Sequence, residues 1–373
     1  MLQSFSGIKR RAQRNFINSL GFKTNRRLLV IESDDWGSIR MPSKEAYEYL
    51  IKVKSISAND PFARYDSLAS EDDLSALFDT LCSFKDFKGN QPVITANCVI
   101  ANPDFDKIRQ SNFSEYHFEL FLETLKRYPK HSNAFSIWKQ GIEKKLFLPQ
   151  YHGREHINVS LWMEKLINGS MEFLHAFNKN TFATDHKIAA AFDLHSKIEI
   201  DEAKQILQQG YDLFSGIFGY NSDSFIAPNY TWNINVEEAL NQKGVKIIQG
   251  SYRQNVPVFG KRSIRKKFHF TGQKNRFSQV YLVRNCLFEP SISPNVDYVS
   301  ACLRHISNAF SWRKPAIIGT HRLNYIGYLD EKNRFDNLKK LKDILNYTLK
   351  TWPDVEFLST KDLGNIILQN SDK

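Results

Sequence analysis

At 373 residues, with 42% hydrophobic and 13% aromatic side chains, the chain has the length and composition of one large α/β domain and not of a disordered segment. Its formal charge of +11 favours anionic partners without choosing among them, and much of the excess is local, at 9–14 and 261–276. Four cysteines without a CxxC pair argue against a zinc knuckle or a disulfide scaffold, and no apolar run reaches the length of a membrane span.

Taken in chain order, residues 1–22 are a basic N-terminal segment with positive charge but no apolar core of a secretion signal, which predicts a cytoplasmic protein. The segment can form a short amphipathic helix with Phe5, Ile8, Phe16 and Leu20 on one side. That side would lie on a membrane surface, as a peripheral association at its inner face, or pack on the protein's own body.

From residue 23 onwards a single domain is expected. Apolar runs at 27–33, 91–100, 146–152, 188–195, 223–230, 245–251, 315–321 and 355–360 read as strands buried on both faces. Helical patterns separate them, including one after a Ser cap at Ser70, one starting at Ser114 and a long one near 198–219. This alternation predicts an α/β fold with a mainly parallel sheet, whose ligand site lies at the carboxyl ends of the strands. The basic stretch 252–290 lacks helical period and reads as a loop or β-rich insertion. The basic runs are foremost solvated faces; no specific nucleic acid partner is expected.

Polar, ligand-type residues stand at the ends of these runs. Asp34 and Asp35 follow the first, "HGREH" with His152 and His156 follows the third, and His321 ends the seventh. Two imidazoles and a carboxylate are a common ligand set for a divalent metal, and an H-x3-H spacing brings both rings to one side of a helical turn. Each motif also has a structural explanation. The histidine pair can arise by chance among ten histidines, and the aspartates can cap or turn a strand-to-helix junction. Glu32, Asn97, Asn102, Asp104, Asp193, His195 and Trp232 stand at other run ends, with internal hydrogen bonding or core packing as the alternative for each.

Together, "SDDWG", "HGREH", "FIAPNYTW" and "IIGTHRLNY" resemble, in order, the motifs of the polysaccharide deacetylases, the NodB-like carbohydrate esterases. The resemblance implies a distorted (β/α) barrel of seven strands and a zinc or similar divalent ion. It implies Asp35, His152 and His156 as metal ligands, Asp34 as catalytic base and His321 as general acid. Pro228, Asn229 and Tyr230 would belong to the groove, with a backbone amide from Asn229 or Tyr230 facing the oxyanion, and Trp232 and Asn97 would contact the sugar. The implied substrate is an acetylated glycan or glycan precursor, neutral or anionic.

Two departures stand out. Ile226 occupies the position where the family places the Arg that orients the base, which leaves Arg154 or Arg322 as candidate replacements. Trp36 separates the aspartates from Gly37. A glycoside hydrolase on a related barrel, and a catalytically silent glycan-binding protein, are the competing readings.

Overall fold

The computed structural model describes residues 12–184 and 188–371. Thirteen strands follow in chain order: β1 (Arg27–Trp36), β2 (Ile94–Val99), β3 (Ala101–Pro103), β4 (Phe118–Leu120), β5 (Phe147–Gly153), β6 (Ser224–Ile226), β7 (Ile247–Gly250), β8 (Arg253–Pro257), β9 (Ile264–Phe268), β10 (Val280–Val283), β11 (Cys286–Leu287), β12 (Ala316–His321) and β13 (Val355–Leu358). Nine of them form one sheet of parallel strands. Eight run in the order β10-β7-β6-β5-β2-β1-β12-β11, and β13 pairs with the first half of β1. Helices occupy most of the crossovers, as parallel connections require.

The alternation of β1 shows how the apolar runs divide their two faces. Leu29 and Ile31 pack outward in the large cluster with Leu74, Leu77 and Leu81 of the helix Glu71–Cys82, which a Ser70–Asp73 capping box starts. Leu28 and Val30 point the other way and meet Ile247, Leu282 and Ile317 from strands elsewhere in the path, so this second cluster is the interior of the curved sheet. Leu363 and Ile367 of the C-terminal helix Thr360–Ser371 pack into it. Glu32 and Asp34 share the parity of Leu28 and Val30. The interior is thus apolar where the strands begin and charged where they end.

The path holds eight strands where the resemblance implied seven, for a local reason. Segment 280–287 is cut at Arg284 and Asn285 into β10, which pairs with β7, and β11, which pairs with β12. These two strands stand at opposite ends of the path, yet only two residues separate them in the chain. Arg284 N–H donates to Gly250 O at 2.9 Å and Asn285 N–H to Ile317 O at 3.2 Å. One extended run of chain therefore hydrogen-bonds to β7 on one side and β12 on the other, and joins the two ends of the sheet.

Other expectations changed as well. The run 188–195 is a turn, with Asp193 N–H on Ala190 O, and its apolar Phe192 and Leu194 fill the core from a loop. The helix expected from Ser114 is β4 followed by a helix at Phe121–Arg127. Within 252–290, β8 and β9 form a separate two-stranded sheet, whereas 280–287 lies in the main one.

At the N-terminus, residues 12–19 are helical and dock on the helix Tyr298–Ser311 through Asn18 Nδ2 to Asn308 Oδ1 at 2.8 Å. Phe16 and Leu20 face outward, and Phe5 and Ile8 lie outside the described residues. No described helix is long and apolar enough to cross a membrane.

Candidate active site

Asp34, Asp35, His152, His321 and Arg284 all stand where strands end, at one mouth of the barrel. Two adjacent carboxylates of a regular strand would point to opposite faces. Here the pairing of β1 with β2 slips between Ser33 and Trp36, and Asp35 takes a positive φ of 73°. The bulge turns Asp35 towards the same cleft as Asp34, which already faces inward by parity. Trp36 anchors this distortion. Its ring is buried edge-on against Trp138 and Phe147, and its Nε1 donates to Ser33 Oγ at 2.9 Å. The residue inserted before Gly37 is thus the core wedge that holds the bulge.

Asp35, His152 and His156 form a buried cluster whose candidate ligand atoms all lie within 4.8 Å of one another. His152 ends β5, and His156 sits in the loop after it; the pair is not helical, contrary to the simplest reading of its spacing. Gly153, at φ 125°, turns the chain so that both rings face Asp35. His156 Nε2 lies 2.8 Å from Asp35 Oδ1 and His152 Nε2 lies 3.5 Å from it.

The donor set fits a metal ion. His152 Nδ1 donates to Ile226 O at 2.8 Å, which leaves the Nε2 lone pair facing the carboxylate, buried and without a hydrogen-bond partner. Two buried acceptors turned on each other call for a cation between them. Burial would raise the Asp35 pKa, but His156, His152 and Arg40 outweigh it and hold the carboxyl well below its usual range. Burial pushes His156 down to about 4, against the pull of Asp35, so its ring is neutral and suited to ligation.

Asp34 is wired differently. Arg284 grips it through both terminal nitrogens, at 2.6 and 2.7 Å, and its Nε reaches Glu32 at 2.8 Å. Asn97 Nδ2 adds a 2.8 Å bond to Asp34 Oδ1 and is itself held by Gln249. Burial would raise Asp34, yet Arg284, His321 and His152 bring it below the usual value. Glu32, fully buried beneath, is raised by burial despite Arg284, and Thr360 Oγ1 caps its second oxygen at 2.9 Å.

The register of β1 with β12 sets Asp34 beside His321, whose Nε2 lies 3.8 Å from Asp34 Oδ2. Its Nδ1 pairs with Glu289 at 2.6 Å, and Asn324 holds the other Glu289 oxygen at 2.7 Å. Burial would lower His321, but Glu289, then Asp35 and Asp34, raise it to about 10. The ring is therefore an imidazolium at neutral pH, a proton donor beside a carboxylate acceptor.

The cation that the groove motif lacks comes from Arg284, at the junction of β10 and β11. The two arginines considered for that role lie elsewhere. Arg154 bonds Glu155 at 2.6 Å and covers the Phe118 ring, and Arg322 is fully buried against Asp66 at 2.9 Å. Gly319 on β12 makes room for the replacement, since a Cβ there would come within 2.6 Å of the Arg284 side chain. Arg284 and Glu289 were not picked out in the sequence. Arg284 nonetheless follows the same rule as the other site residues, a polar side chain straight after an apolar run, "VYLVR".

Of the groove residues, Asn229 and Tyr230 line the catalytic cleft with Arg40, Phe62 and Ile292, in a cavity of about 310 Å³. Pro228 is buried behind them. Tyr230 N–H donates to Ala227 O at 3.0 Å, and its hydroxyl accepts from Arg284 at 3.2 Å. Trp232 does not reach the cleft; it is a core residue, stacked on His269 and bonded to Glu237 at 2.9 Å. Asn97 supports Asp34 from below. Asn102 ties Ile39 and Gly37, Asp104 caps the helix Phe105–Gln110, and Asp193 pairs internally with His195.

No family model matches the sequence, and neither does any curated protein. The structure is similar to a protein of Mycobacterium smegmatis named as a polysaccharide deacetylase, at 9% identity and TM-score 0.45, over 95% of this chain and 94% of that one. It is similar to a family 4 acetyl xylan esterase from Clostridium thermocellum in complex with cobalt, at 11% identity and TM-score 0.38, over 91% of each chain. A 4-α-glucanotransferase from Thermococcus litoralis aligns at 6% identity and TM-score 0.46 over 91% of this chain, which spans only 40% of the length of that protein. At such identities the likeness concerns the course of the chain. The chemistry is argued from this chain's own residues.

Proposed function

We propose that the protein is a metal-dependent carbohydrate deacetylase, a hydrolase that removes an N- or O-linked acetyl group from a sugar of a glycan or glycan precursor. The observation that carries this reading is the orphaned Nε2 of His152 facing Asp35, next to a carboxylate and an imidazolium that are held apart from it. A divalent ion of the zinc class, held by Asp35, His152 and His156, would supply Lewis acidity towards the acetyl carbonyl and the attacking water.

The remaining work falls to side chains. Asp34, ionised and fixed by Arg284 and Asn97, takes the proton from the attacking water. His321 enters protonated and gives its proton to the leaving amine or alcohol as the carbon–heteroatom bond breaks. Glu289 keeps that proton in place beforehand. The restored Asp34–arginine pair speaks against a catalytically silent barrel, because the lacking groove Arg was the best argument for one. Glycoside hydrolysis would need two carboxylates free to face the sugar. Here Asp34 and Asp35 line the cleft, but Asp35 is held between two imidazoles; Glu289 is engaged by His321 and Asn324, and Glu32 is buried under Arg284.

Acetylated glycan precursors on the cytoplasmic side, made for a bacterial surface polysaccharide, suit the basic surface, and a peripheral association with acidic membrane is part of the same proposal. The test is acetate release from a panel of N- and O-acetylated sugars and oligosaccharides, with zinc, cobalt or chelator. Metal-dependent release, abolished in Asp34→Asn, is expected; release that survives chelation and metal depletion would sink the reading.

A further inference from the structure

Beside the catalytic cleft lies a second cavity of about 710 Å³, a size that holds small ligands. The two share Tyr230 as a wall, and Arg284, which grips Asp34, lines the second one from behind. Among the described residues no carboxylate lines this chamber; Arg284 reaches it with its charge already balanced by Asp34 and Glu32, and Arg14 and Arg304 are the cations that line it besides. Asp297, the cap of the helix that carries Arg304, feels that arginine but stays outside the lining.

The electrostatics of His305 sharpen the picture. Arg14 Nη1 stands 3.3 Å from His305 Nε2, and since a guanidinium only donates, that nitrogen accepts and Nδ1 carries the hydrogen. Nδ1 is buried and has no hydrogen-bond partner. Burial, with Arg14 and Arg304 beside it, lowers the ring to about 4 and keeps it neutral. With that N–H sealed from the chamber and the ring neutral, the charge of this corner is that of Arg14 and Arg304, an arrangement that suits an anionic oxygen group.

We propose that this chamber is an anion subsite, which binds a phosphate or carboxylate borne by the substrate while the acetyl group sits at Asp34 and His321. The substrate class follows: a negatively charged sugar, or a sugar joined to phosphate, spanning Tyr230. The exposed Leu287 and Val296 at the chamber give an apolar flank to whatever the anion is attached to. The identity of the reacting sugar rests on the deacetylase reading; the anion site does not.

The experiment has a binding arm and a kinetic arm. Full-length protein is titrated calorimetrically with inorganic pyrophosphate and, separately, with glucuronate, to tell a phosphate site from a carboxylate site. One of the two is expected to bind at a single site, at least tenfold more weakly in Arg304→Gln and in Arg14→Gln. Arg304 is exposed, so that variant tests the charge without disturbing the core. Binding that is unchanged in both variants, or no tighter than that of neutral glucose, overturns the subsite. In the kinetic arm, kcat/KM for N-acetylglucosamine 1-phosphate over that for N-acetylglucosamine should exceed ten and fall at least tenfold in Arg304→Gln. Acetate release from both sugars with a ratio near one refutes the subsite alone. Arginine-dependent anion binding, with no acetate release from any sugar of the acetylated panel in the presence of metal, refutes the deacetylase reading and supports the subsite.

Discussion

The two walls of the cleft begin at adjacent residues and are built on opposite principles. On one wall, Asp35 gathers two imidazoles from the end of β5 and the loop that follows it, and its charge is left for an ion to balance. On the other, Asp34 is balanced within the protein by Arg284, and His321 by Glu289, each pair joining distant parts of the chain. A carboxylate that waits for a ligand and a carboxylate that already has its counter-ion can sit side by side without competing for the same proton. That difference assigns their roles better than their order in the sequence does.

The strongest way to break the first wall is His152→Ala. It is expected to strip bound metal, measured by elemental analysis of the purified protein, and to cost at least about tenfold to a hundredfold in affinity or activity, as metal-shell losses do. The fold should hold, with a lowered melting temperature, because the ring is buried and its bond to Ile226 O is lost. Metal content equal to wild type would remove the site from consideration.

The second wall breaks through its cation. Arg284→Gln leaves Asp34 and Glu32 buried without their cation, at a cost of about 3–5 kcal/mol in urea unfolding. Arg284→Lys should not restore activity, because an ammonium cannot grip both oxygens of Asp34 while also reaching Glu32. Metal content should stay near wild type wherever the variant is folded, which separates this wall from the other.

A smaller effect should follow Glu289→Gln. His321 gains proton affinity on folding, so its ion pair stabilises fully below the free imidazole value of about 6.5 and is lost as pH rises towards about 10. The alkaline limb of kcat against pH should accordingly move to lower pH in the variant, and the stability difference from wild type should shrink between those limits. A limb that does not move would show that Glu289 does not set the His321 proton.

The least effect on turnover belongs to Trp232→Phe, which removes the donor to Glu237 inside the core. About 1–3 kcal/mol of stability should be lost, with KM unchanged. A raised KM would return Trp232 to the sugar site.

The first wall was legible in the sequence because its ligands are local: an Asp pair at one strand end and two histidines four apart at another. Of the second, Asp34 and His321 were legible at their strand ends but the partners that hold them were not, for physical reasons that can be named. Arg284 and Glu289 lie about 250 residues beyond Asp34, in a stretch whose basic composition hid a four-residue strand, and only strand order brings them together. The strand pattern was legible where runs were long and continuous. It failed at 188–195, where apolar residues fill the core from a loop, because burial alone does not specify pairing. Trp36 looked like a substitution in a motif and proved to be packing; nothing in the sequence distinguishes a wedge from a contact residue. Trp232 was misjudged the same way.

The run 280–287 carries one more consequence. Its amides bridge the two ends of the sheet, and its arginine neutralises Asp34. The same few residues thus serve as a latch and as a counter-charge, so the latch cannot open without leaving two carboxylates bare. Amide exchange at Arg284 and Asn285 should then track global unfolding rather than local fraying, and catalytic competence should disappear in the same step as the last protected amides of the barrel.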